Sequence, residues 1–249
     1  LLLADIDLSR DELADMAAGG LLMEIASRPL PRDLAVKPAL PMAQMSAVVL
    51  AAGQSRRMGK INKLTAAVAG KPVIRHVVDT VLEAGFKDIV VVLGYDEQAV
   101  SACLEGLPVR FVKNEAFRSG QASSVSAGIA ALDNNVSDVM VVLGDMPLLS
   151  AALLNNLHHH HMRNPQHEQM ISLPVCLKDR ESQIGHPVIW GRQFFPDLQA
   201  LTGDQGGRQI WSDHPAIIHQ MEVEDATLFL DTDTAEALRR AEVFLLARN

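Results

Sequence analysis

Three short runs of unbroken apolar residues constrain this chain more than anything else in it. They are Ala47-Val48-Val49-Leu50, Ile89-Val90-Val91-Val92-Leu93 and Val139-Met140-Val141-Val142-Leu143. A strand that is apolar at every position has no face to give to water. It must be covered on both sides, as parallel strands are in α/β proteins. The segments between the runs have helical spacing. Val73, Ile74, Val77, Val78, Val81 and Leu82 form one stripe after Pro72, which suits a first helical turn, and Gly85 follows as a stop. Glu97 to Leu104 reads as a helix, Val109 to Val112 as a short strand, and Gln121 to Leu132 as a helix with Val125, Ile129 and Leu132 on one side. The alternation βαβαβαβ predicts an α/β fold with a doubly wound, mostly parallel, Rossmann-like sheet. Ligands of such sheets bind at the carboxyl ends of the strands. Gly53, Gly94 and Gly144 all fall at that edge.

The second half is less regular. Ser150 is placed to cap a helix running to about His161. Met170 to Val175, His186 to Trp190, Ile217 to Val223 and Leu228 to Leu230 read as strands, and Thr234 to Ala247 as a last helix. The run His158-His159-His160-His161 invites a metal reading. Consecutive helical residues point in different directions, however, and only His158 and His161 share a face. A solvated helix end is the expectation. Residues 1–45 differ from the rest. Ser9 and Glu12 form a capping box, and Pro29, Pro31, Pro38 and Pro41 follow as tether chemistry. This part reads as a helical appendage and linker, fitting the tail of a preceding domain, ahead of a domain over 46–249.

A net charge of −8 and a pI near 5.5 argue against a nucleic-acid binder. An anionic small substrate needs only local positive charge. Cys103 and Cys176 stand far apart in no metal-type spacing, so a reduced, cytoplasmic setting is expected. No apolar run reaches the length of a membrane span. The start, LLLADIDLSRDELAD, lacks a signal peptide's basic residues, and its opening Leu suggests a piece of something longer.

The chemistry is concentrated after the first apolar run. Ala47 to Lys63, AVVLAAGQSRRMGKINK, passes from strand to a basic loop broken by Gly53 and Gly59. Such a loop presents backbone N–H groups to phosphates, with Arg57 and Lys63 adding charge. It is not a P-loop: Lys60 is followed by Ile61, and the glycine spacing is wrong. The lesser reading of the loop by itself is a solvated basic turn after a strand. Asp145, in Gly144-Asp145-Met146-Pro147, ends the third apolar run on the same edge. A carboxylate beside a triphosphate is a natural Mg²⁺ ligand. It is also an ordinary turn residue. Asp231 and Asp233 are either a second acidic contribution or the cap of the last helix.

Read as L-A-A-G-x-S-x-R-M-G-x-x-K, Leu50 to Lys63 resembles the signature loop of the molybdopterin nucleotidyltransferases, and especially their cytidylyltransferase group. GDMP at Asp145, the D-x-D-T segment at Asp231, SGQASSVSAG, Gly185-His186-Pro187-Val188 and GDQGGR at Gly203 extend the resemblance to the end of the chain. Ala235 and Ala237 depart from it, where a proline and an acid are usual. The resemblance implies a nucleotidyltransferase fold and Mg²⁺-dependent transfer of CMP from CTP to the phosphate of molybdenum-molybdopterin. Leu50, Ala51, Ala52, Gly53, Ser55, Arg57, Lys63, Ser123, Ser124 and Asp145 would bind nucleotide. Arg57, Lys63 and Asp145 would be catalytic. Asp145 would share the metal with Asp231 or Asp233, preferably Asp233, and His186 and Arg208 would face the acceptor. Ala52 argues for CTP over GTP. A guanylyltransferase or another transferase to small phosphates is the alternative within the fold, and a non-catalytic cofactor or nucleotide carrier the alternative outside it. A molybdoenzyme or its chaperone is the partner this reading suggests.

Overall fold

In a computed structural model, residues 45–55, 62–178, 181–204, 206–213 and 215–248 are described. Residues 1–44 of the expected appendage over 1–45, and the loop residues from Arg56 to Ile61, Arg57 included, lie outside them, while Met45 already belongs to the first strand.

The elements run β1 (Met45–Ala51), β2 (Ala67–Val68), β3 (Lys71–Pro72), α1 (Val73–Glu83), β4 (Ile89–Leu93), α2 (Glu97–Ala102), β5 (Arg110–Lys113), α3 (Gln121–Ala130), β6 (Asp138–Leu143) and α4 (Ala151–Met162). They continue as β7 (Ile171–Lys178), β8 (Glu181–Ile184), β9 (Val188–Gly191), α5 (Phe195–Ala200), α6 (Arg208–Asp213), β10 (Ile218–Val223) and α7 (Ala235–Arg248). The main sheet has the order β10-β7-β9-β6-β1-β4-β5, with β8 on the flank of β7. β6, β1, β4 and β5 are parallel neighbours, and so are β10 and β7. β9 runs antiparallel to both β6 and β7, so the sheet is mostly parallel but mixed.

The three apolar runs are the sheet's centre, and alternation decides which layer each side chain joins. Ala47, Val49, Ile89, Val91, Met140 and Val142 pack with Ile74, Val77 and Val81 of α1 and Leu153, Leu154 and Leu157 of α4. Val48, Val90, Val92, Val139 and Val141 pack on the other face with Val125 and Ile129 of α3, Leu198 of α5 and Trp211 of α6. Full burial of such a side chain contributes about 1.5–3 kcal/mol. Gly128 lets α3 lie close on the sheet, because a Cβ there would meet Val48 Cγ1 at 2.4 Å. α7 covers the β2–β3 ribbon, with Leu238 and Ala241 against Val68, Val73 and Leu148. No helix among the described residues is long and apolar enough to cross a membrane.

Three expectations are corrected. Leu228 to Leu230 is not a strand: Ala226–Phe229 is a 3₁₀ turn, opened by Asp225, whose carboxylate accepts the Thr227 N–H at 2.9 Å. His186 and Pro187 precede β9 rather than belonging to it. The histidine run is not a solvated helix end. α4 packs its His158 and His161 face inward, leaving them 2% and 0% exposed. Burial, with the other histidines nearby, pushes His158 down to about 4.

Candidate active site

The parallel strands β1 and β6 end side by side, and the chemistry collects there. Gly144 is required by that closeness: its N–H donates to the Leu50 carbonyl at 3.0 Å, and a Cβ would meet that same oxygen at 2.8 Å. Asp145 follows directly and enters a cleft of about 460 Å³. Leu50, Ala52, Gly53, Ser55, Lys63, Ser124, Asp145, Asp231 and Asp233 all line this cleft.

The ends of the basic loop are fastened by Ser55. Its backbone takes a positive φ of 49°, uncommon for a side chain with a Cβ. Its Oγ accepts the Lys63 N–H at 3.1 Å, so the chain leaves and returns at one hydroxyl. Asn62 then makes a tight turn, its carbonyl accepting from the N–H groups of Thr65 and Ala66. This turn aims Lys63 inward.

The Lys63 ammonium lies between the carboxylates of Asp145 and Asp233 and is hydrogen-bonded to both. Burial alone would lower the lysine's pKa. The two carboxylates outweigh burial and raise it. Asp231 stands at the rim, where burial and the neighbouring Asp233 and Asp145 charges raise its carboxyl, against a backbone N–H bond from Asp233 and the charge of Lys63. What brings residues so distant in sequence together is Thr232, fully buried, whose N–H and hydroxyl both donate to the Asp145 carbonyl at 3.0 and 3.1 Å. A β-branched hydroxyl residue between two aspartates is the signal for this clasp, and sequence reasoning passed over it. Thr234 caps α7 through the Ala237 N–H at 3.1 Å, so Ala235 in the usual proline position leaves the helix start intact.

Other expected residues fall outside the cleft lining. Ala51 is buried in β1, 1% exposed, beneath the cleft. Ser123 donates to the carbonyls of Gly120 and Ala116, and with Ser124 receives the Asn114 amide at 2.9 and 3.0 Å. The two serines are thus fixed by buried Asn114, and only Ser124 reaches the cleft wall. Phe117 and exposed Arg118 also line the cleft, the guanidinium 5.5 Å from the Phe117 ring centre. Neither was anticipated, although an Arg at a helix-preceding turn is the type of residue that meets phosphate.

His186 and Arg208 meet in an adjoining cavity of about 470 Å³, which shares Gln121 and Asp204 with the first. Trp190 and Trp211 form part of its wall, stacked with centres 6.0 Å apart and planes within 3°. His186 is half-buried, but its Nδ1 is buried without a partner among the described residues. Burial pushes this histidine down to about 4, so it is neutral near pH 7.

The donor set at the first cleft fits a hard divalent cation. Asp145 and Asp233 already converge on one positive charge, and carboxylate oxygens are what Mg²⁺ and Mn²⁺ take.

A mixed, mostly parallel sheet with a basic loop after β1 and acidic groups at the end of β6 defines an α/β nucleotidyltransferase. The chain belongs to the family of the MobA-like NTP transferase domain, whose model matches residues 47–218. It is 29% identical over 197 residues to nicotine blue oxidoreductase of Paenarthrobacter nicotinovorans, covering 79% of this chain and 95% of that protein. It is 42% identical over 112 residues to the bifunctional protein GlmU of Sinorhizobium fredii, covering 43% of this chain but only 24% of that longer relative. Among solved structures, Rv0371c of Mycobacterium tuberculosis H37Rv is similar with a TM-score of 0.68 and 26% identity, covering 80% of this chain and 98% of that one. A manganese complex of Rv0371c is also similar, with a TM-score of 0.64 and 25% identity, covering 80% of this chain and 98% of that one. CMP:2-keto-3-deoxy-manno-octonic acid synthetase bound to CTP shares the fold at 12% identity, with a TM-score of 0.66 over 83% of this chain and 100% of that one.

Proposed function

We propose that this enzyme transfers CMP from CTP to the terminal phosphate of molybdenum-molybdopterin. The observation that carries the reading is Lys63 held between Asp145 and Asp233 in a cleft whose loop begins at Gly53. An acceptor phosphate oxygen attacks the α-phosphorus of CTP, a P–O bond forms, the bond to the bridging oxygen breaks, and pyrophosphate leaves. No covalent enzyme intermediate is needed, because positioning and charge stabilisation suffice. Backbone N–H groups around Gly53 hold the phosphates. Lys63, with Arg57, balances charge on the departing pyrophosphate. Mg²⁺ on Asp145 and Asp233, with Asp231 beside them, would supply charge neutralisation at the α-phosphate. His186 and Arg208 face the acceptor, Arg208 as a fork for an anionic group and His186 as a neutral imidazole. The Ala52 methyl, at the cleft wall, restricts the base to a pyrimidine, which makes GTP the poorer donor. A molybdoenzyme or its chaperone would receive the product.

The test is pyrophosphate release with Mg²⁺ and molybdenum cofactor, offering CTP, GTP, ATP and UTP separately. Release with CTP alone supports donor and acceptor together. Release with GTP alone keeps the reaction and removes the Ala52 argument. Binding of cofactor or nucleotide without release with any of the four leaves the carrier reading instead.

One observation favours a second reading. The likeness to nicotine blue oxidoreductase covers nearly all of that protein. In that reading the cleft holds a nucleotide-bearing redox cofactor, and the basic loop binds its phosphates without cleaving them. Reduction of a dye by a nicotinamide nucleotide, with no pyrophosphate formed, would decide for it.

A further inference from the structure

The mechanism leaves one cluster unused, at the opposite edge of the sheet from the cleft. Asp138 opens β6 and is 1% exposed. Its Oδ1 faces His161 Nε2 at 2.9 Å, and its Oδ2 faces His167 Nδ1 at 3.0 Å. His161 comes from the last turn of α4, and His167 from the 3₁₀ turn that follows. One donor atom from each of the three residues lies within 4.8 Å of the others. Six residues of β6 rise roughly 16 Å, at about 3.3 Å per residue, so this cluster and the cleft are separate.

We propose that Asp138, His161 and His167 form a binding site for a transition-metal ion of the Zn²⁺ class. Two imidazoles and a carboxylate are the donor set such ions prefer, and Mg²⁺ does not. Bond lengths of about 2.0–2.2 Å from one centre set ligand atoms about 3.4 Å apart, so the two imidazole nitrogens, 2.9 and 3.0 Å from the Asp138 carboxylate, need only draw back slightly from it to admit an ion. The outer contacts are those of ligating groups. His161 Nδ1 meets the buried Ser172 hydroxyl at 2.8 Å, which fixes the ring so that Nε2 faces Asp138. Ser137 donates to Asp138 Oδ2 at 2.6 Å. The fold also makes room for the turn: Gly191, paired with Asp138 across β9, has no Cβ because one would meet the His167 carbonyl oxygen at 2.5 Å. His167, its side chain 18% exposed, is the route of entry. The bound ion would clamp the end of α4 to the start of the central strand.

The bland account is a metal-free network in which both imidazoles donate to Asp138. His167→Gln separates the two, because a Gln amide still donates to the carboxylate but is a poor ligand. The experiment uses untagged full chain and Zn²⁺ alone, read by calorimetry and by metal content after dialysis. One Zn²⁺ per chain is expected, with affinity reduced by more than about 100-fold in His167→Gln and by about 10-fold in Ser172→Ala, where only the outer hydrogen bond is lost. Asp145→Asn should bind Zn²⁺ as wild type does. His160→Gln is the control for the more open ring pair His160 and His219, 5.5 Å apart, and should also bind normally. Absence of Zn²⁺ from the wild type, or binding that survives His167→Gln or is lost in His160→Gln or Asp145→Asn, overturns the proposal.

Discussion

Lys63→Met keeps the length and apolar stem of the side chain and deletes its charge. In the nucleotide-free protein that charge sits against Asp145 and Asp233, with side-chain exposures of 11%, 17% and 34% for the three residues. A pair of unit charges at about 4 Å and an effective dielectric near 20 is worth about 4 kcal/mol. The openness of Asp233 and the desolvation of Lys63 take back most of this, leaving about 1–2 kcal/mol. A divalent cation must displace the ammonium to reach the same oxygens. The variant should therefore bind Mn²⁺ about tenfold more tightly without nucleotide, at 1.4 kcal/mol per decade. It also lacks a fixed cation where charge builds on the leaving group. Its kcat/KM for pyrophosphate release should fall by about 10²–10³, the usual loss for one preorganised donor. Mn²⁺ titration by electron spin resonance and steady-state kinetics on the same preparation give both values. Their opposite signs are the signature. Metal affinity that stays level or falls, or turnover that is retained, refutes the reasoning.

The His186 shift has a consequence for stability. Its folded pKa is about 4 against 6.5. The unfolded chain therefore binds a proton between these values that the folded chain refuses. The contribution is complete above pH 6.5 and drains away as pH falls toward 4, by at most roughly 3 kcal/mol and less for a half-buried ring. Urea unfolding at pH 7 and pH 4.5 should show a smaller drop in His186→Gln than in wild type, and an equal drop would sink the assignment. Gly207→Ala places a Cβ 2.2 Å from Trp190 Cζ2. Because Trp190 and Trp211 are the only tryptophans, near-ultraviolet dichroism should register their separation, with about 1–3 kcal/mol lost from overpacking. Ala52→Gly should raise kcat/KM for GTP relative to CTP by about 10-fold, within the range for one methyl group, and an unchanged ratio removes Ala52 from donor choice.

The central sheet could be read from the chain because Ile89 to Leu93 and Val139 to Leu143 are apolar at every position. Only a strand covered on both faces tolerates that. Ser150 was equally legible, since its cap on Leu153 is local chemistry. The errors have two physical causes, a local cap that was passed over and long-range pairing that leaves no local trace. Leu228 and Phe229 looked like strand residues because they are apolar, but the nearby Asp225 carboxylate, accepting the Thr227 N–H, sets a turn there. The histidine run looked solvated because its polarity was weighed without Asp138, which lies 23 positions from His161. In the cleft, motif resemblance picked out Lys63, Asp145 and Asp233 individually. The pairing of one lysine with both acids needed the turn at Asn62 and the clasp at Thr232.

β9 enters the sheet against the direction of its neighbours. A parallel strand offers the rim only the residues that follow it, whereas β9 offers those that precede it. His186 arrives there on the way in, beside the groups that β1 and β6 deliver on the way out. The two cavities thus depend on chain segments of opposite polarity. Substitution at His186 or Val188 would therefore reshape the second cavity and leave the loop after β1 untouched.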